Sequence, residues 1–107
     1  MVKTNKHDAL VEIIEKELWS RGIKETYKFE EYNKGVCGEI DLYARKDNYV
    51  LLFEMKSNDT YKARKKAIQQ MSRAEKYCFK NKRVFKFYVT NCSNPKVEWI
   101  KNYGGKK

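Results

Sequence analysis

Long apolar runs are missing from this chain. No stretch comes near the roughly 20 apolar residues of a membrane helix, and the opening "MVKTNKHDAL" lacks the apolar core of a secretory signal. These absences predict a cytoplasmic (intracellular) protein with no membrane partner. Cysteine is sparse: Cys37, Cys78 and Cys92 are odd in number, widely spaced and without a Cys-x-x-Cys pair. That pattern argues against a disulfide framework and against a zinc site, and predicts free thiols. Histidine occurs once. His7 has no nucleophile or second ligand to work with, so an exposed N-terminal residue is the simpler reading and a substrate contact the other. Repeats and low-complexity segments are absent, and only "GGKK" at the end reads as a basic tail.

Acidic residues are also in short supply, 14 Asp plus Glu against 24 Lys plus Arg, for a net charge of +10 at pH 7. Such a surface repels itself and attracts phosphates through counterion release, so nucleic acid is the first partner to consider. A chain of 107 residues, 41% of them hydrophobic, can build one core and not two. The expectation is one domain over 1–107 with its core at about 6–90.

Ala9, Leu10, Ile13, Ile14 and Leu18 recur at helical spacing, which predicts an amphipathic helix from Lys6 to about Arg21 closed by Gly22. Four runs read as strands, 26–32, 38–44, 49–56 and 83–90, the last three carried by aromatic and β-branched residues. The polar "KDN" at 46–48 makes the second and third of these an antiparallel hairpin. Ala67, Ile68, Met71, Ala74 and Cys78 mark a helix within 60–80, whose place between two strands makes it a crossover and its flanking strands parallel. Asn94 and Pro95 form a helix-start signal for a last short helix carrying Val97, Ile100 and Tyr103. The predicted fold is α/β in the order α-β-β-β-α-β-α, a mixed central sheet flanked by helices.

Chemistry concentrates in "EIDLYARKDNYVLLFEMK", 39–56. Side chains alternate across a strand, so Glu54 and Lys56 share one face at the exit of the apolar run "YVLLF", and Asp41 shares a face with Glu39 and Tyr43 on the neighbouring strand. The short turn between the strands lets Asp41 lie across from Glu54. Two carboxylates and an ammonium at the rim of a buried sheet are costly unless a divalent cation sits between the acids. Such an ion polarises a phosphodiester and acidifies bound water, while a lysine orients or deprotonates that water. A surface ion pair on an edge strand is the rival explanation; against it, Glu54-Met55-Lys56 is the sole acidic-x-Lys triplet in the chain.

"GEIDL", 38–42, followed by "EMK", 54–56, resembles the PD-(D/E)XK nuclease superfamily, with archaeal Holliday junction resolvases and the small bacterial YraN-like proteins as the nearest comparisons. The resemblance covers Lys6 to Thr90 and implies a restriction-endonuclease-like fold and Mg²⁺- or Mn²⁺-dependent endonuclease activity. It would make Asp41 and Glu54 the metal ligands and Lys56 the catalytic lysine. Ile40 stands where many members carry proline. Members often add a glutamate from the first helix; Glu17, which falls in the arc of Leu10, Ile13 and Ile14, is preferred to Glu12, and its bland alternative is an i+4 pair with Arg21. Resolvase-like members also carry a glutamine on the crossover helix, which points to Gln70, although a solvated glutamine would look the same.

"KARKK", 62–66, opens the crossover helix near the proposed site, which makes Lys62, Arg64 and Lys65 candidate phosphate contacts, or else a solvated lysine face. Tyr27, Tyr32, Tyr43 and Tyr61 are packing residues or stacking partners for unpaired bases. The expectation is a metal-dependent nuclease on DNA, structure-selective or weakly sequence-selective, working as a homodimer. RNA as substrate, and a non-catalytic nucleic-acid-binding module on the same fold, are the rivals.

Overall fold

A computed structural model describes residues 6–30, 40–56, 59–91 and 94–101, with the side chains of 6–8 and 28–30 excepted. Helix α1 (Lys6–Ser20) is followed by β1 (Glu25–Glu30), β2 (Ile40–Lys46) and β3 (Tyr49–Lys56), then α2 (Tyr61–Cys78), β4 (Arg83–Thr90) and β5 (Lys96–Ile100). The five strands form one sheet in sequence order, antiparallel throughout except for β3 and β4, which run parallel. The single parallel pair is the one joined by α2, as a crossover requires.

Gly22 closes α1 as its sequence position predicts. Its φ of +88° suits a residue without Cβ. Its N–H donates to the Trp19 carbonyl at 3.0 Å and the Ile23 N–H to the Leu18 carbonyl at 2.9 Å, which satisfies two helix-end carbonyls. No atom would meet an added Cβ there, so Gly22→Ala should cost only the left-handed strain, about 1 kcal/mol in a denaturant melt. In the hairpin turn Asp47 takes a positive φ of 55° and Lys46 pairs with Tyr49.

The two helices cover opposite faces of the sheet. Leu10, Val11, Ile14 and Leu18 of α1 pack on Leu42, Ala44, Phe53, Met55 and Val89. Ala67, Met71 and Ala74 of α2 pack on Tyr43, Val50, Leu52 and Tyr88. Small alanines on α2 let the helix approach the large residues of the sheet.

Two expectations fail here. The segment after Pro95 is strand β5, antiparallel to β4, not a helix. Val97 and Trp99 alternate with Glu98 and Ile100 across the strand, and the open edge of β4 takes up their backbone groups. Asn94 serves a turn instead of a cap, its N–H donating to the Asn91 carbonyl at 3.1 Å, and a proline just before an edge strand costs no ladder bond. Tyr103 lies outside the described residues. Cys78 is disulfide-bonded, so the free-thiol expectation fails for it; Cys37 and Cys92 are outside the described residues. No helix among the described residues is long and apolar enough to cross a membrane.

Candidate active site

The β2–β3 ladder ends at Leu42 opposite Phe53. Beyond that pair, side chains replace the missing backbone partners. The Met55 N–H donates to Asp41 Oδ2 at 2.9 Å, and the Asp41 N–H points at Glu54 Oε1 at 3.4 Å. Asp41 and Glu54 are thus locked together where the two strands part, as the hairpin geometry predicts. On the other side Glu54 is flanked by Tyr88 and Lys56 by Thr90, its register partners on β4.

Glu54 is only 2% exposed. Burial first, and the neighbouring Asp41 carboxylate second, push its pKa up to about 8, with the Lys56 ammonium opposing the shift. A carboxyl pushed this far up stands ready to lose its proton to a cation. Asp41 is half-buried, as is Lys56.

Each carboxylate offers about four lone-pair directions, all of them on oxygen. Oxygen-only donors of this kind suit a hard divalent ion. Among the described residues no three or more His, Cys, Asp or Glu side chains gather into one metal-holding group. Two carboxylates nevertheless match Mg²⁺, which keeps most of its waters and takes one or two protein acids together with substrate phosphate.

The first-helix acid is a correction. Glu17 does not face the sheet: its side chain is 56% exposed and accepts a 2.7 Å bond from Arg21 Nε. Glu12 is exposed as well. The buried arc includes Val11 and excludes Ile13, which is 41% exposed, so it is rotated away from Glu17. Glu15 lies inside that arc instead, buried, accepting a 2.6 Å bond from the Thr26 hydroxyl. Thr26 pairs with Ala44, on the face that α1 covers. Glu15 therefore ties α1 to β1 on the side of the sheet away from Glu54.

Of the basic residues that open α2, Lys62 and Lys65 are exposed. Arg64 is engaged elsewhere, its Nε 3.1 Å from Glu98 Oε1 and its Nη2 2.5 Å from Oε2. That forked pair clips α2 to β5 and holds the Glu98 carboxyl below its usual range. Gln70 sits on the flank of α2 opposite to Arg64 and Glu75, which reach β5 and β4. That flank is the one over β2 and β3, and its Oε1 is buried without a hydrogen-bond partner. His7 and Tyr32 fall outside the described side chains. Tyr27 and Tyr43 stack on each other at 4.8 Å, with Phe79 against Tyr43, and serve packing. Tyr61 is 81% exposed at the start of α2.

Sequence reading missed Tyr88. It is buried beside Glu54, and its hydroxyl has no hydrogen-bond partner; burial and then the charge of Asp59, which is not in bonding geometry, push its pKa up to about 12. The alternation in "RVFKFYVT" tells which face Tyr88 takes, but only the parallel register sets it level with Glu54. Lys86 was missed too: it is buried under α2 and paired with Glu75.

No protein-family model matches this chain, and neither does any curated protein or solved structure.

Proposed function

We propose that the protein is a Mg²⁺- or Mn²⁺-dependent endonuclease of the PD-(D/E)XK type that hydrolyses DNA phosphodiester bonds. The observation that carries the reading is the buried Glu54 held against Asp41 at the parting of β2 and β3, with Lys56 on the same face. A surface ion pair would not be sunk to 2% exposure, and a protein that only binds nucleic acid has no use for two acids forced together at an energetic cost.

Asp41 and Glu54 would hold the metal, which when bound polarises the scissile phosphodiester and acidifies water. Glu54 would hold the ion as its carboxylate, so binding would be coupled to the loss of its proton. Lys56, two residues further on the same face, orients the attacking water and offsets negative charge at phosphorus. Gln70, whose amide oxygen is buried and unpaired, would position that water or a neighbouring phosphate.

Lys62 and Lys65 grip the DNA backbone. Lys62 stands in the first turn of α2, where a cation opposes the helix dipole, a cost that a bound phosphate reverses. Replacing Lys62 and Lys65 together by alanine should reduce the salt slope of DNA binding by up to roughly 2. An unchanged slope across a salt series would put the phosphate contacts elsewhere. The reading carries with it structure-selective cutting by a homodimer inside the cell. The direct test is metal-dependent cleavage of a panel of junction, flap, single-stranded and duplex DNA, with RNA included. Cleavage of RNA alone would move the substrate class, and no cleavage of any member in Mg²⁺ or Mn²⁺ would end the nuclease reading.

A further inference from the structure

Helix α1 covers only part of its face of the sheet. Cross-strand partners share a face, so the register arranges that face in rows. Lys46, Tyr49 and Arg83 make one row, and Ala44, Leu51 and Phe85 the next. Leu42, Phe53, Phe87 and Trp99 make the third. The α1 side chains pack on Leu42, Ala44 and Phe53. Beyond them lies an open groove of about 500 Å³ lined by Tyr49, Leu51, Arg83, Phe85, Phe87 and Trp99.

Its rings are already arranged against one another. Tyr49 meets Phe85 edge-on at 5.8 Å, and Phe85 meets Trp99 at 6.3 Å. Trp99 is 52% exposed, with the Lys101 ammonium 5.4 Å from its ring centre. Lys46, Arg83 and Lys101 frame the rings, and among the described residues the lining holds no acid.

We infer that this aromatic sheet face binds single-stranded nucleic acid, with unpaired bases stacked on Trp99, Phe85 and Tyr49 and phosphates on Lys46, Arg83 and Lys101. Charge selects this occupant. A second copy of the chain seated here would set Lys46, Arg83 and Lys101 against their own kind, whereas an unpaired strand supplies flat apolar faces together with the missing negative charge. Duplex DNA lacks free base faces and cannot use the rings. The groove lies on the face opposite to Glu54, and Tyr49 stands at the other end of β3, so a strand held here is separate from the bond presented to the acids. The inference does not depend on the cleavage reading.

The test is fluorescence anisotropy of labelled oligothymidylate and of a labelled blunt-ended duplex with the same number of phosphates, in EDTA so that nothing is cut. Trp99→Ala should weaken binding of the oligothymidylate by about 10-fold or more and that of the duplex by less than about 2-fold. Equal losses on both ligands, or no loss in a folded variant, would overturn the assignment. So would a parent dimer in sedimentation that Trp99→Ala dissolves. If Trp99→Ala does not fold, Lys46→Glu with Arg83→Glu replaces it, both sites being exposed; oligothymidylate binding should then lose salt dependence, and an unchanged slope counts against the site.

Discussion

Glu54→Gln is expected to yield a protein that is inert and yet more stable than its parent. The parent's Glu54 has a pKa raised to about 8 because it is buried and faces Asp41. Raised above the usual carboxylate range, it contributes stability that is complete below that range and is lost as pH climbs through about 8. A glutamine does not titrate. The variant's advantage in EDTA should therefore open from roughly pH 4, grow to a few kcal/mol near pH 8, and stay level above it. Adding Mn²⁺ should stabilise the parent and leave the variant unmoved, and cleavage should fall by about 10³-fold or more. Asp41→Ala should lose metal and cleavage in the same way. Thermal melts at several pH values, paired with calorimetric Mn²⁺ titration, decide the matter. Equal metal affinity in parent and variants would remove Asp41 and Glu54 from the metal site.

Lys56→Ala should lower the single-turnover rate by about 10² or more at saturating enzyme while DNA and metal still bind. A phosphate clamp would behave in the opposite way, losing affinity and keeping the saturated rate. The variant carries a second signature. The Lys56 charge pulls the Glu54 pKa downward, so its removal should move the acidic limb of metal binding to higher pH. A parent-like rate in Lys56→Ala would leave the Glu54–Lys56 proximity with no part in catalysis and would return it to an ordinary ion pair.

Gln70 and Glu15 illustrate two kinds of legibility. Gln70 is beside the apolar stripe of α2 in sequence and takes that place in the fold, because Ala67, Met71 and Ala74 leave one orientation for the helix. On α1 the same reasoning chose the wrong arc. Ile13 is exposed and Val11 buried, so the buried arc is turned away from Glu17 and takes in Glu15. An apolar residue at the edge of a stripe is tolerated in water, so a short helix does not declare its centre by pattern alone. Arg64 shows a different limit: its partner Glu98 is far along the chain, and no local rule pairs them.

By itself the sequence determined the hairpin, the crossover helix and the shared face of Glu54 and Lys56, because strand alternation, a polar turn and helical spacing act between near neighbours. Proximity of Asp41 to Glu54 followed from the same hairpin. Tertiary structure alone decided how far Glu54 is buried, which acid of α1 meets the sheet, and that Tyr88 stands level with Glu54. It also turned 96–100 into an edge strand, since a segment with both helix and strand signals goes where unpaired backbone is waiting. The open aromatic face is of the same kind: α1 packs on only some rows of the sheet, and only the assembled sheet shows which rings the described residues leave uncovered.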